Sequence, residues 1–143
     1  MTKLSRARAA AITCGVCMLF AGGPVFVHHS FTVEFDRNKP VTLKGAITRM
    51  EWVNPHAWLY IDVKDGRGKI VSWALEFGGA NSLYKRGWRK EDLPTGTEVT
   101  VTGYLGRHGK PIAAAQDVTL ANGKKLFAGS AGTGAPGDRG DER

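Results

Sequence analysis

Cysteine is nearly absent from this 143-residue chain, and the two present, Cys14 and Cys17, fall in an uncharged apolar stretch near its start. Ahead of that stretch, residues 1–8 carry Lys3, Arg6 and Arg8 and no acid, and residues 9–21 carry no charge at all. This is the layout of a secretory signal. A membrane span needs roughly 20 apolar residues, and Gly22-Gly23-Pro24 ends the run too soon. No stable membrane anchor is expected after cleavage, for which Ala21 and Gly23 are the best-flanked points in the interval 21–27. The C-x-x-C spacing, elsewhere a sign of redox or zinc chemistry, leaves with the signal. Neither cysteine has the small-residue approach of a lipid-modified one. The exported domain, placed in the periplasm by this reading, has no disulfide and must be held by its core alone.

Catalytic motifs are also missing. There is no G-x-S-x-G, no H-E-x-x-H, no phosphate loop and, after export, no cysteine nucleophile. Glu51, Asp62 and Glu76 are acids, but glycoside cleavage requires two carboxyls across a deep cleft. A small barrel is filled by its own side chains. The chain is therefore read as a binding protein and not as an enzyme. Residues 128–143 contain no large apolar side chain and are expected to be disordered. Roughly 100 residues remain, enough for one small domain, and no repeat divides them.

Positive charge is in modest excess. Export removes three bases and no acid, leaving 17 bases against 13 acids, a net charge of +4. Lys85, Arg86, Arg89 and Lys90 form the densest basic cluster, but Glu91 and Asp92 follow directly. A solvated face is favoured there over a phosphate-binding one.

What remains has strand character. The run 41–53 places Val41, Leu43, Gly45 and Ile47 on one face and then changes phase to Met50 and Trp52. A strand changes phase only through a bulge or sharp coil, for which Gly45 and Thr48-Arg49 are the candidates. The run 56–64 alternates Ala57, Leu59, Ile61 and Val63 against His56, Trp58, Tyr60 and Asp62. Asp65-Gly66-Arg67-Gly68 turns the chain into 69–77, with Val71, Trp73, Leu75 and Phe77 inward. Matching the inward sets places Trp58 opposite Glu76, Tyr60 opposite Ala74 and Asp62 opposite Ser72. A short helix over 81–87 follows, with Asn81 or Ser82 as N-cap and Gly87 closing it. Strands then lie near 99–105 and 112–120, and a return through Asn122-Gly123 ends near Phe127.

Three strands, a helix and two strands form the element order of an OB-fold, so the chain reads as an all-β, OB-fold-like, five-stranded Greek-key barrel with one helix between strands three and four. A signal up to about residue 21, an N-terminal segment over 22–38, the barrel over 39–127 and a tail over 128–143 complete the organisation.

Four stretches now stand out together: His28-His29-Ser30-Phe31, Lys39-Pro40-Val41-Thr42-Leu43-Lys44-Gly45, Glu51-Trp52-Val53-Asn54-Pro55-His56-Ala57-Trp58, and Arg86-Gly87-Trp88. With Val118-Thr119-Leu120 and Lys125-Leu126-Phe127-Ala128-Gly129, they make the chain resemble the DUF6152 family of small exported bacterial proteins, whose function is not established. The resemblance covers about residues 28–129. It implies a secreted, compact β domain and supplies no catalytic residues. Relatives commonly place a small residue before the histidine pair, where this chain has Val25-Phe26-Val27. Cleavage at that point, which would let a terminal His28 chelate copper through its amine and ring, is disfavoured here.

His28, His29, His56 and His108 are all the imidazoles available. Neutral imidazole suits copper, zinc, nickel and iron, and copper, or else zinc, is the ligand expected if these rings converge. Adjacent histidines on an extended strand point to opposite faces, so the simplest use of His28-His29 is a polar linker, with one ring available to a site. His56 has a fixed address after Pro55 and near Glu76. Its favoured use is to close the barrel corner, and its functional use is as a metal ligand oriented by Glu76.

The second candidate surface carries Trp58, Tyr60, Asp62 and Glu76, on the face where OB-folds commonly bind. It would take a small molecule, a glycan or a protein. Its acids argue against nucleic acid. Coverage of these rings is favoured over exposure, and Phe31, Val33 and Phe35 alternate as an extra strand across this face would. The partner is thus an unidentified periplasmic ligand or protein.

Overall fold

The computed structural model describes residues 31–130 and residue 133. A four-residue helix, α1 (Phe31–Glu34), leads directly into the long strand β1 (Phe35–Glu51). The hairpin β2 (Trp58–Lys64) and β3 (Ile70–Glu76) follows, then α2 (Ala80–Lys85) and a 3-10 turn (Lys90–Asp92). β4 (Glu98–Gly106), β5 (Ile112–Leu120) and the short β6 (Lys125–Phe127) complete the fold.

β1 pairs with both β2 and β4, β2 pairs with β3, and β4 pairs with β5, all antiparallel. Ala74, Leu75 and Glu76 of β3 then run parallel to Ile112, Ala113 and Ala114 of β5, which closes the circuit β1-β2-β3-β5-β4. The all-β class with a helix between the third and fourth strands is found, with six strands where five were expected, the sixth being the short β6 paired to β5.

β1 can serve two neighbours because it bends. Its register with β2 slips between Ile47 and Arg49, where the apolar phase changes, so the bulge lies at Thr48. Gly45 is needed for a different reason: a Cβ there would sit 2.3 Å from the Asp62 carbonyl oxygen. The β2–β3 register pairs Trp58 with Glu76, Tyr60 with Ala74 and Asp62 with Ser72, as alternation requires.

The interior is aliphatic. Leu43, Ile47, Leu59, Ile61, Leu75, Phe77, Val99, Val101 and Val118 form one buried cluster. Leu83 of α2 and Trp88 join it without exposed surface. Burying a leucine of this kind contributes about 1.5–3 kcal/mol. The helix cap differs from expectation: Gly79 is the N-cap, and the Asn54 side-chain oxygen accepts from the Asn81 N–H across the loop. Gly87 closes the helix at φ +92°.

Two further corrections concern the ends. Residues 31–34 form a helical turn and not an extra strand. In that turn Phe31 and Phe35, four positions apart, meet at 5.4 Å, and Val33 points to solvent. At the other end the tail does not begin at residue 128. Ala128 is fully buried; its N–H donates to Gln116, and its carbonyl accepts from Gly78. The Trp88 indole donates to the Phe127 carbonyl and the Arg86 guanidinium to the Gly129 carbonyl. Arg86 also lies over the Phe127 ring, and Arg89 over Tyr84. Half of the basic cluster thus has structural partners. Residues 1–30, 131, 132 and 134–143 lie outside the described residues, and the proposed signal and most of the proposed tail lie there. Among the described residues no helix is long and apolar enough to cross a membrane.

Candidate functional site

Glu76 ends β3 on the outer face of the barrel, where alternation should expose it, yet it is 8% exposed. Its cross-strand neighbours explain this. Trp58 flanks it on β2 and Ala114 on β5, and the small alanine leaves the carboxylate a recess. His56, just before β2, places Nδ1 2.5 Å from Oε1 of Glu76. The contact is close but poorly directed, since Nδ1 is buried and has no well-aligned hydrogen-bond partner. Burial pushes the Glu76 carboxyl up from its ordinary range, the neighbouring His56 pulls it back, and the charge of Glu34 adds to the rise.

Glu34 comes from α1, which is pinned to the β4–β5 loop by one residue. The Arg107 Nε–H is shared between the carbonyls of Thr32 and Phe35. Its backbone N–H donates to the Glu34 carbonyl, and its guanidinium pairs with Asp36 at 3.6 Å. Phe31 meets Tyr104 edge-on, with ring centroids 6.0 Å apart. Between α1, the start of β2 and the 107–111 loop lies a groove of about 290 Å³, lined by Glu34, Phe35, Trp58, Gly106, His108, Lys110 and Ile112.

The four residues of the aromatic and acidic face have separate settings. Trp58 lines the groove. Tyr60 lies under the Arg49 guanidinium at 3.9 Å and donates its hydroxyl to Glu51. Asp62 accepts from the Ser72 hydroxyl at 2.6 Å, and Glu76 is buried against His56. Of the imidazoles, His56 is held by Glu76, His108 lines the groove, and His28 and His29 lie outside the described residues. Among the described residues no three His, Cys, Asp or Glu side chains are close enough to hold a metal ion. The sequence reading missed Glu34, Arg107, Lys110 and Ile112. Arg107 acts on carbonyls 72 and 75 positions away, a pairing with no local signature.

The model of the DUF6152 family, described as a family of unknown function, matches residues 16–115 of this chain. The chain belongs to the DUF6152 family. The match takes in α1, the whole β1–β4 framework, the 107–111 loop and the first residues of β5. Every described residue of the groove and of the His56–Glu76 pair in this DUF6152 protein therefore falls inside the family match. No curated protein and no solved structure matches the chain.

Proposed function

We propose that this DUF6152 protein is a periplasmic binding protein, not an enzyme, and that it takes up a transition metal, copper first and zinc second, with His56 as the anchoring ligand. The observation that supports this is the contact between His56 Nδ1 and the buried Glu76 carboxylate. With Nδ1 so engaged, Nε2 is left to coordinate, and a carboxylate behind the ring is the usual companion of a metal-bound histidine. The described residues do not supply three ligands, so the reading requires at least one from His28 or His29. His29 precedes α1 by two residues, roughly 7 Å of extended chain, and His108 stands on the adjoining groove.

The test is native mass spectrometry of the exported protein with and without copper(II), which reports the mature N-terminus and the bound metal together. One copper per chain is expected, lost in His56→Ala and weakened by about tenfold or more in a His28→Ala, His29→Ala double variant. Glu76→Gln should weaken it by a similar factor through the ring it orients. Unchanged copper uptake in folded His56→Ala sinks the reading.

A further inference from the structure

β3 is closed by β5 along only part of its length. Ala74, Leu75 and Glu76 run beside Ile112, Ala113 and Ala114, and the Ala74 N–H donates to the Pro111 carbonyl. Ahead of Ala74, the stretch from Ile70 to Trp73 pairs with β2 on one side and with no described strand on the other. The ladder fixes where its backbone points. The Asp65 N–H donates to the Lys69 carbonyl at one end of the hairpin, and the Phe77 N–H donates to the Ala57 carbonyl at the other. In an antiparallel pair these bonds recur at every second residue, so Val71, Trp73 and Leu75 face β2. Ile70 and Ser72 therefore turn their N–H and carbonyl groups outward.

Such an edge is a template for another strand, and its surroundings select the partner. Ile70 is 57% exposed, so an added strand has apolar surface to cover. Lys64 stands opposite Ile70 in the hairpin, Arg67 and Lys69 lie in the turn, and all three are exposed. Among the described residues no acid forms an ion pair with them. The two acids of this stretch have local partners: Asp62 accepts from the Ser72 hydroxyl, and Asp65 accepts from the Arg67 and Lys69 N–H groups. Lys110, next to the Pro111 that bounds the opening, adds an exposed base at its other end. A second copy of this chain would bring the same bases to the edge, and lysine on an edge strand guards against such self-pairing. A segment with acidic side chains meets the opposite condition, since opposite charges on neighbouring strands stabilise a sheet.

We infer that the open edge of β3, from Ile70 to Trp73, takes up an extended segment of a partner protein that carries acidic side chains, adding it as a further strand. The edge is separate from the copper reading. Ser72 lies four residues from Glu76 along β3, roughly 13 Å, so either proposal can fail without the other.

The probes are three blocked hexapeptides in which valine alternates with glutamate, with serine or with lysine. Each is titrated into the full-length exported protein, labelled with ¹⁵N and kept in EDTA. The glutamate peptide should give saturable shifts at the Ile70 and Ser72 amides and slow their hydrogen exchange, while exchange at Val71 and Trp73, already bonded to β2, stays as it was. It should bind at least about tenfold more tightly than the lysine peptide, with the serine peptide between them. Lys64→Glu combined with Lys69→Glu should reverse that order. Ser72→Pro, which deletes an outward N–H and no bond to β2, should weaken binding by about tenfold or more. A urea midpoint shows whether Ser72→Pro folds, and the charge-reversed variant decides the matter if it does not. No saturable shift at Ile70 and Ser72, equal binding of the glutamate and lysine peptides, or an order unchanged by the charge reversal overturns the inference. A dimer whose Ile70 and Ser72 amides are protected without peptide overturns it in favour of a second copy, and protection lost on cutting the chain after Thr133 overturns it in favour of the chain's own end. Loss of copper uptake in His56→Ala with the peptide shifts intact separates the two proposals.

Discussion

Glu76 shows how far one side chain can depart from the rule of its strand. Alternation along β3 assigns it to the outside, yet Ala114, Trp58 and His56 enclose it. Because burial holds its carboxyl above the ordinary 4.5, the folded protein binds that proton more tightly than the unfolded chain does. The stability linked to this proton is fully present below pH 4.5 and is lost as pH rises through the higher folded value. Glu76→Gln keeps the shape and removes the titration. In EDTA, urea midpoints of the native protein should fall from pH 4.5 upward relative to those of Glu76→Gln, with the difference smallest on the acid side. Parallel curves would mean that burial does not govern this carboxyl. The pairing of Trp58 with Glu76 was legible from two alternating runs and a turn. The burial was not, because Ala114 lies on β5, distant in sequence, and comes beside Glu76 only when β3 and β5 pair.

At the scale of elements, close approaches of backbone decide where substitution is tolerated. Gly45 lies where β1 crosses β2, and a Cβ there would meet the Asp62 carbonyl carbon at 2.9 Å as well as its oxygen. Gly45→Ala must push two strands apart, and a loss of about 2–3 kcal/mol is expected in urea denaturation. Gly66→Ala, in the β2–β3 turn with nothing within 4 Å, should change stability by less than about 0.5 kcal/mol. A similar loss at both positions would contradict this account of the barrel. α1 gives the complementary lesson. Phe31, Val33 and Phe35 fit a strand period, but Phe31 and Phe35 also fit one helical turn, and Arg107 selects the turn by taking the Thr32 and Phe35 carbonyls. Arg107→Ala should cost about 1–2 kcal/mol and speed hydrogen exchange over residues 31–36 before the rest of β1. Exchange unchanged there would show that the aromatic contacts hold α1 without it. Strands, hairpin register and bulge were readable because they rest on local periodicity and turn chemistry. α1 and the groove were not, because a single guanidinium from a distant loop sets both.

For the whole molecule, the question is where the folded unit stops. Composition places the boundary at residue 128, after the last large apolar side chain, but the chain continues to contribute for several residues. Ala128 is held between the segment after β3 and β5 by two backbone hydrogen bonds, from the Gly78 N–H and to the Gln116 carbonyl. The Gly129 carbonyl receives Arg86 at 2.6 Å, and Thr133 turns back onto Ser130 through both its N–H and its hydroxyl. A chain cut after Phe127 leaves the Gly78 N–H, the Gln116 carbonyl and the Arg86 guanidinium without these partners, in a region where Phe77 and Trp88 are fully buried. Each lost hydrogen bond costs about 1 kcal/mol, and more where a buried group is left unsatisfied, so the cut at 127 should lower stability by roughly 3 kcal/mol. A cut after Thr133 keeps these three contacts and should be the more stable of the two. Urea denaturation of the two truncations against the intact protein checks this directly, and equal midpoints for both would place the end of the barrel at Phe127. Residues 128–130 are alanine, glycine and serine, whose small side chains let backbone reach backbone. That property makes the segment structural and also gives it the composition of a disordered tail.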